Sequence, residues 1–453
     1  MIKIIRNIKE LENLKDEWNT LLQESRNNNV FLTYDWIYLW IKYFLDGGRR
    51  SSLFIVCSYD KNNKIEAIAP FFIKRFFLFF NAVMFISHDF SDYLDIIIHK
   101  QSNSEDIVAK ILNAIKENHI ANIIFLKQVS ELLLENINNI NKTNNINDVN
   151  NVNNATKITN TNNTNNINNT IKITNVNNVN NVSDATNIVH TTRITNITNT
   201  TNTTNTTNIA KLTNINKINN DKYEQTAYSL TYKESGDCYY IKLPDRIDEY
   251  MKQFNSKQRY NILSRVEKAK KQSVEYISSE KIDNDSLDLL LDNFFRLHQK
   301  RWNEKGQGGV FSNSKIKSFF KEIFGSLFKK NMLALSFLKY NNEFISAAIC
   351  FDYAGSRQVY LPGFDTKYSN LYPGIVLTYY NIREAIDKKY LEFDFLKGGE
   401  EYKKRFLGIK RKNYKLYLYK SKFIFYIFKL SLFFNNEVKN KTKEYFLNIF
   451  RKR

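Results

Sequence analysis

The sequence predicts an α/β protein built from two copies of one unit, with a low-complexity insert between them. Three observations support this. Each half shows the same order of patterns: two helices, a strand meander, a further helix and another strand. Residues between the halves are almost entirely Asn, Thr, Ile and Val. A hydrophobic content of 43% and 34 phenylalanines supply apolar side chains for two cores.

The first half begins with the strand pattern IKIIR and the helical patterns KELENLKDEWNTLLQES and YDWIYLWIKYFL. A hairpin follows in SSLFIVCSYDKNNKIEAIAPFFIK, with Asn62 and Asn63 at its turn. The strand pattern FFLFFNAVMFIS, the helix SEDIVAKILNAIKENHI and the strand NIIFL complete this half. We expect the strands YSLTY and CYYIKL, after the insert, to join the same unit.

The second half opens with the helix DRIDEYMKQFNSKQRYNILSRVEKAKKQ and the strand VEYIS. The helices SLDLLLDNFFRLHQKRW and SKIKSFFKEIFGSLFKK come next. Three strands form a meander with predicted turns at Asn341–Asn342 and Ala354–Gly355. The helix IVLTYYNIREAIDKK, the strand LEFDFL and the strand KNYKLYLYK follow. This order repeats that of the first half.

The low-complexity segment predicts a disordered insert without chemistry of its own, or a β-prone Asn-rich tract. We predict the following domains: a first unit at 1–135, the insert at 136–220, strands completing the first unit at 221–244, a second unit at 245–420 and a basic amphipathic tail at 421–453.

Charge and cysteine usage limit the compartment and the partners. The net charge of +20 favours anionic partners, although a bias toward AT-rich codons also produces lysine excess. Cys57, Cys238 and Cys350 show no metal or redox spacing and are typical of buried thiols in a reducing compartment. Without a signal-like or membrane-spanning apolar run, the sequence predicts a cytoplasmic protein. Its tail would lie on the inner face of an anionic membrane or pack as a helix.

One candidate site for a phosphorylated ligand is the start of the helix after Tyr372, Pro373 and Gly374. A helix N-terminus presents free N–H groups and the positive end of the helix dipole, and Gly374 would allow close approach of a phosphate. The alternative is that Pro373 and Gly374 only begin the helix.

The stretch LEFDFLKGGEEYKKRF carries a second group of candidates. Asp394 alternates with apolar residues and could point into a cleft. Gly398 and Gly399 allow a sharp turn, and Tyr402 and Lys403 follow as hydrogen-bond donors. A turn cap for Asp394 and a solvated basic face for the lysines are the alternatives.

Two further motifs supply polar groups. In LHQKRW, His298, Arg301 and Trp302 share one helical face, where they would bind substrate or bridge two layers. The acids of HDFSDYLD, Asp92 among them, would line a cleft or stabilise a turn. No zinc, P-loop, GxSxG or GxGxxG pattern is present, and we predict no metal site.

The second half, over Asp245 to Tyr419, resembles the GNAT-superfamily acetyltransferase domain of the CelD-like family, which is associated with polysaccharide and envelope biosynthesis. The resemblance rests on KQRYNILSRVEKAKK, LHQKRWNEKGQGGVF, VYLPGFDTKYSNLYPGIVLTYYNIREAI and FDFLKGGEEYKKRF. WNTLL, VFLTYDWIYLW, IAPFFI and SHDFSDYLD in the first half are similar to the N-terminal region of that family. Fem-type peptidyltransferases, which use aminoacyl-tRNA, share the double architecture and a similar strand-DF-x-x-G motif.

This resemblance implies two tandem GNAT-like units, each a mixed and mostly antiparallel sheet flanked by helices. It places the donor pyrophosphate at Tyr372, Pro373 and Gly374. The residues that it places around the cleft are Asp394, Gly398, Tyr402 and Lys403 on one side, Asp92 and Tyr93 opposite, and His298 and Arg301 nearby. One departure is that KYSNLYPG has a single glycine where the general GNAT phosphate loop resembles RxxGxG.

The expected function is therefore acyl transfer, with acetyl-CoA as the donor and an amine or hydroxyl of a sugar or envelope metabolite as the acceptor. Asp394 or His298 would take the proton, backbone amides would stabilise the oxyanion, and Lys403 would bind an anion. The alternatives are a Fem-type transferase that uses aminoacyl-tRNA, the one case in which we expect a nucleic-acid partner, and a non-catalytic scaffold.

Overall fold

The computed structural model describes residues 1–46, 50–76, 80–118, 121–142, 228–278, 280, 285–304, 306 and 308–433. Most of the predicted insert and the last 20 residues of the predicted tail lie outside these described residues. Residues 131–142 form a helix, which therefore runs into the start of the predicted insert. The described parts of 1–140 and 229–433 belong to one compact unit.

Among the described residues, ten α-helices of this unit are numbered α1 to α10, and its thirteen strands are numbered β1 to β13. The helices are α1 (Ile8–Glu12), α2 (Lys15–Gln23), α3 (Tyr34–Phe44), α4 (Ser104–Glu117), α5 (Ile247–Lys252), α6 (Ser256–Lys271), α7 (Leu287–Glu304), α8 (Ser314–Lys329), α9 (Pro373–Asp387) and α10 (Glu401–Arg405). The strands are β1 (Ile2–Ile5), β2 (Ser51–Tyr59), β3 (Ile65–Phe76), β4 (Phe80–Phe85), β5 (Ile97–Ile98), β6 (Ile123–Val129), β7 (Ser229–Lys242), β8 (Glu275–Ser278), β9 (Leu333–Tyr340), β10 (Glu343–Tyr353), β11 (Ser356–Phe364), β12 (Glu392–Lys397) and β13 (Ile409–Tyr419). Residues 131–142 and 422–433 are also helical.

All thirteen strands belong to one mixed sheet. The order is β1-β2-β3-β4-β6-β13-β7-β12-β11-β10-β9-β8, with β5 paired to β3. Most neighbours are antiparallel, whereas the pairs β4–β6 and β11–β12 are parallel. Each parallel pair is joined by a crossover helix, α4 or α9, as parallel strands require.

The strand order shows the internal duplication directly. The series β1-β2-β3-β4-β6 in the first half corresponds to β8-β9-β10-β11-β12 in the second. The two series meet through β13 and β7: β13 pairs with β6, and β7 pairs with β12. The α/β fold with two GNAT-like units is therefore confirmed, while the predicted domain boundaries stay predictions.

Aromatic packing joins the two halves next to the site. Trp36 of α3 lies edge-on to Phe319 of α8, with ring centroids 6.0 Å apart, and to Phe351 of β10, at 5.6 Å. Tyr360 of β11 lies 5.8 Å from the same indole, and its hydroxyl donates to the carbonyl of Phe90 over 2.6 Å. Edge-to-face pairs of this kind add to the free energy of apolar burial. Together they fix the first half against the strands that line the site.

Several local predictions are confirmed. Asn63, Asn341, Asn342 and Ala354 have positive φ, as tight hairpin turns require. All three cysteines are buried free thiols. None of the helices in the described ranges combines the length and apolar content needed to cross a bilayer.

Candidate active site

The central feature of the site is the separation of β11 from β12. The strands pair at three positions, which end at Gln358 and Asp394. Tyr360 is skipped in the register between β10 and β11, which places a bulge in β11 just beyond this point. Bulges bend a strand and end pairing. The segments beyond Gln358 and Asp394 therefore diverge and leave a cleft between them.

Two cavities fill the cleft and adjoin each other. The first, of about 360 Å³, is mainly apolar and reaches the start of α9. The second, of about 570 Å³, has both polar and apolar lining and is called the polar cavity because it holds most of the charged groups of the cleft. It reaches the loop of the first half that contains Asp89, Phe90 and Asp92. The residues that line both cavities are Arg301, Val359, Pro362, Phe395 and Tyr402. A ligand could therefore extend from one cavity into the other.

The apolar cavity ends at the predicted phosphate position. Tyr372 has φ +52° and directs the chain into α9, which begins at Pro373 without a side-chain cap. A Cβ added at Gly374 would contact only the Phe364 ring, at 4.0 Å. Tyr372, Pro373 and Gly374 therefore line a pocket at the start of α9 with free space beside Gly374, and the donor-diphosphate role expected of them stays a prediction.

Two basic side chains beside this position were not singled out from the sequence. The guanidinium carbon of Arg265 lies 4.7 Å from the centre of the Tyr372 ring, and the Lys268 ammonium lies 5.4 Å from it. Both belong to α6 and are three residues apart, so they share one helical face. The three-residue spacing of these two basic residues in SRVEKAKK is the sequence feature that could have indicated them.

His298 lies in the polar cavity with its hydrogen-bonding state fixed by Trp302. The Trp302 indole N–H donates to His298 Nε2 over 3.0 Å. Burial, with a contribution from Arg301, lowers the pKa of His298 to about 4, so the ring is neutral at pH 7. Because Nε2 accepts a hydrogen bond, the proton of the neutral ring is on Nδ1. That buried N–H has no partner among the described residues.

Close packing holds this histidine in place. A Cβ on Gly363 of β11 would lie 2.7 Å from the His298 backbone nitrogen, so α7 approaches β11 as closely as glycine permits. Arg301, one turn along α7, places its guanidinium carbon 4.5 Å from the centre of the Phe364 ring. His298 and Arg301 therefore reach the cleft from the same helix, as predicted.

The polar cavity contains three carboxylates with different proton affinities. Burial raises the pKa of Asp92, although the Lys397 backbone N–H donates to this carboxylate over 3.3 Å. For Asp89 and Glu400 burial acts in the same direction, but nearby cations outweigh it, and their pKa values are lowered. The ionised Asp92 carboxylate is therefore a stronger base than those of Asp89 and Glu400.

The glycine turn shapes one wall of this cavity. Gly398 has φ +136°, and a Cβ there would lie 2.1 Å from Glu400 Oε2. The buried Lys403 ammonium donates to the carbonyls of Leu396, over 3.2 Å, and Lys397, over 3.0 Å, and pairs with Glu400 at 3.0 Å. Its hydrogen bonds thus go to the turn itself. This geometry favours a role in holding the turn over the predicted role in binding an anion.

Asp394 and Tyr93 do not line the cleft. Tyr93 donates its hydroxyl proton to Asp394 Oδ2 over 2.8 Å, and Arg411 of β13 donates to the same oxygen over 3.2 Å. These residues line a separate cavity, whereas the neighbouring Phe395 faces the cleft. Of the predicted site residues, His298, Arg301, Tyr402, Lys403 and Asp92 therefore lie together, and Tyr372, Pro373 and Gly374 line the adjoining cavity.

Comparison with known proteins agrees with this geometry. Residues 256–404 match a family model described as "Acetyltransferase (GNAT) domain". Over this range the second half is similar to GNAT acetyltransferase domains. The cleft between β11 and β12 lies within the matched range, as do His298, Arg301 and Gly374. No curated protein matches the sequence significantly.

Solved structures extend the similarity to both halves of this tandem GNAT fold. The crystal structure of FemX is 10% identical, with 91% of this chain and 98% of that chain covered and a TM-score of 0.53. L-PGS from Bacillus licheniformis is 8% identical, with 90% and 91% covered and a TM-score of 0.45. A tandem GNAT protein from the clavulanic acid biosynthesis pathway is 4% identical, with 92% and 98% covered and a TM-score of 0.39. The similarity to FemX is one of fold.

Proposed function

We propose that this protein moves an acetyl group from acetyl-CoA to an amine or hydroxyl of a sugar or other cell-envelope metabolite. The observation that carries the proposal is the meeting of an apolar and a polar cavity at Arg301 and Tyr402. Acyl transfer by direct attack requires two substrates held end to end, and two adjoining cavities of unlike polarity suit that requirement.

The residues around the apolar cavity fit acetyl-CoA. Arg265 and Lys268 supply positive charge for its diphosphate, the Gly374 N–H at the start of α9 supplies a donor, and Gly374 leaves space there. The apolar lining, which includes Val359, Pro362 and Phe364, suits a pantetheine arm. Acetyl-CoA supplies an activated thioester when bound.

The residues of the polar cavity provide proton transfer, stabilisation of the oxyanion and binding of the acceptor. Asp92 accepts the proton of the attacking amine or hydroxyl, because burial raises its pKa and makes its carboxylate a stronger base than those of Asp89 and Glu400. His298 donates Nδ1–H to a developing oxyanion, and Arg301 adds positive charge at the junction. Asp89 and Glu400 accept hydrogen bonds from a polyhydroxylated or amino acceptor.

A release assay for free CoA thiol tests the proposal. With the full chain, acetyl-CoA and a panel of amino sugars, we expect acceptor-dependent thiol release. Asp92→Asn is expected to lower kcat by about 100-fold or more, because proton transfer contributes that much. The control Asp248→Asn, at an exposed carboxylate of α5, should retain the wild-type rate. Full activity of Asp92→Asn would show that Asp92 is not the proton acceptor.

The second candidate keeps the fold and changes the donor to aminoacyl-tRNA. The fold similarity to FemX and the net charge of +20 favour it. Retention of charged tRNA at low salt, lost steeply as salt rises, would support this donor. Acetyl-CoA turnover without tRNA retention would exclude it. The CelD-like assignment rests on the sequence resemblance and belongs to the first proposal.

A further inference from the structure

A third cavity, of about 390 Å³, lies beside β11 and β12 on the side to which Asp394 points. It shares no lining residue with the two cavities of the cleft. Its wall combines the loop at 26–29, the segment at 93–95 and the paired ends of β11 and β12. The two halves of the chain thus enclose a second polar space.

Gln358 lines this space and has a side-chain acceptor without a partner among the described residues. The Ser356 hydroxyl donates to the Tyr353 carbonyl over 3.0 Å, so it can only accept from the Gln358 side chain, 3.2 Å away. This fixes the amide with Nε2 toward Ser356. The side-chain oxygen Oε1 of Gln358, a residue with only 6% of its surface exposed, is buried and has no partner among the described residues. Buried acceptors without a donor are rare and costly.

Two further groups in the wall also lack a full set of donors. Asn28 Oδ1 is a second buried acceptor without a partner in the described part of the chain. The Asp95 carboxylate, 4% exposed, accepts hydrogen bonds from the Ser130 hydroxyl and from the Ile96 N–H. No lysine or arginine of the described residues forms an ion pair with Asp95. Its burial raises its pKa to about 7.

The two arginines in the wall of the cavity already donate hydrogen bonds to other groups of the protein. Arg411 pairs with both Glu392, at 2.8 Å, and Asp394, at 3.2 Å. Arg26 directs two nitrogens to the carbonyl of Lys100, at 2.8 and 3.1 Å. Neither arginine donates to Gln358 Oε1, Asn28 Oδ1 or the Asp95 carboxylate, so the unmet requirement at these three groups is for hydrogen-bond donors from outside the described residues.

We propose that this cavity binds a small protonated primary amine between Gln358, Asn28 and Asp95. An ammonium group carries three donors and no acceptor, which matches two carbonyl oxygens and one carboxylate. The inference does not rest on the proposed acyl transfer, since the cavity is separate from the cleft. It assigns the protein a second ligand site, distinct from that of the acyl donor.

Calorimetric titration of the full chain with ethanolammonium chloride tests the site, with ethylene glycol as the uncharged comparison at the same ionic strength. We expect saturable binding of ethanolammonium and affinity for the glycol weaker by about tenfold or more. Gln358→Met, which removes the acceptor and keeps the length, and Asp95→Asn should each weaken ethanolammonium binding by about tenfold. Asp248→Asn is the matched control and should bind as the wild type does.

Three outcomes would overturn the proposal: no saturable binding of ethanolammonium, equal binding of the glycol, or unchanged affinity in Gln358→Met. Thermal unfolding of each variant, followed by circular dichroism, shows whether it is folded. If Asp95→Asn fails to fold, Gln358→Met decides the question alone.

Discussion

Tyr93 and Asp394, 301 positions apart in the chain, are joined by a hydrogen bond of 2.8 Å in which the phenol donates to the carboxylate. The bond ties the loop of the first half to β12 at the point where β12 leaves β11. The preceding residue, Asp92, accepts from Lys397 N–H and, through its carbonyl, from the Asn413 side chain over 2.6 Å. The Tyr93–Asp394 bond therefore positions Asp92 at the cleft.

Tyr93→Phe is expected to destabilise the fold by about 1 kcal/mol and to lower kcat more than it changes KM for the donor. It leaves a buried carboxylate with one donor fewer and loosens the loop that carries Asp92. Urea denaturation and the thiol-release assay measure the two effects. Tyr38→Phe, which removes an exposed bond to Glu12, is the control and should show neither effect. Wild-type stability and rate in Tyr93→Phe would contradict the positioning role.

The free energy of unfolding should depend on pH through the ionisation of Asp394. Burial raises the pKa of Asp394 to about 7 from the ordinary value of 3.8, against the lowering effects of Arg411, Tyr93 and the Leu396 N–H, and the Glu392 charge raises it further. The folded state therefore holds a proton that the unfolded state releases between these values. The contribution of Asp394 to stability falls as pH rises from about 4 to about 7, and above that range the cost is fully present.

Asp394→Asn should remove this dependence. From about pH 5 to about pH 8, the free energy of unfolding of the wild type should fall by about 2 to 3 kcal/mol more than that of the variant. Paired urea titrations at the two pH values provide the measurement. Parallel curves for the two proteins would show that Asp394 is ionised throughout this range.

Gly398→Ala should disrupt the site, whereas Gly399→Ala should be tolerated. Gly398 has φ +136°, and its added Cβ would collide with Glu400 and lie 2.8 Å from Lys403 Nζ, whereas a Cβ at Gly399 meets nothing within 4 Å. We expect Gly398→Ala to cost about 1 to 3 kcal/mol of stability and most of the activity. Thermal unfolding and thiol release compare the two variants. Equal behaviour of the pair would show that the turn does not depend on Gly398.

The part of this site that could be predicted from sequence was local. Turn residues, buried cysteines and the helical face shared by His298 and Arg301 follow from spacing within one element. The alternation in LEFDFL showed that Asp394 and Phe395 point to opposite sides of β12. It could not show which side faces the cleft, because both sides of this strand are covered.

The remaining features of the site depend on pairing between strands that are far apart in the sequence. The cleft exists because β11 and β12 pair at only three positions and Tyr360 bulges, and neither feature has a signature in the sequence. Similarly, the pairing of β7 with β12 and of β13 with β6 depends on contacts between distant segments. The role proposed for Asp92 depends on its contacts with Lys397 and Asn413 of the second half, which are also long-range.

Residues 422–433 provide a test of the predicted membrane contact. Phe425 and Phe428 are buried, and Phe428 packs against Phe76 and Phe125. The opposite face exposes four large apolar side chains: Phe423, Tyr426, Leu430 and Phe433. An exposed apolar stripe beside lysines suits an anionic bilayer surface.

We expect the full chain to float with vesicles containing anionic lipid, and Phe423→Ser combined with Phe433→Ser to reduce flotation. Because both side chains are exposed, the double variant should keep the wild-type stability. A version that ends at Lys420 should lose flotation as well. Unchanged flotation of these variants would exclude this segment as the anchor.

The central claim is that the apolar cavity at the start of α9 binds the acyl donor, and calorimetric titration of the full chain with acetyl-CoA tests it most directly. We expect binding in the micromolar range, about −8 kcal/mol, and loss of about tenfold or more in Gly374→Trp, which fills the open space at the predicted diphosphate position. Gly325→Ala, at a helical glycine with open space around it, is the control. Absence of heat with acetyl-CoA, or equal affinity in Gly374→Trp, would contradict the account.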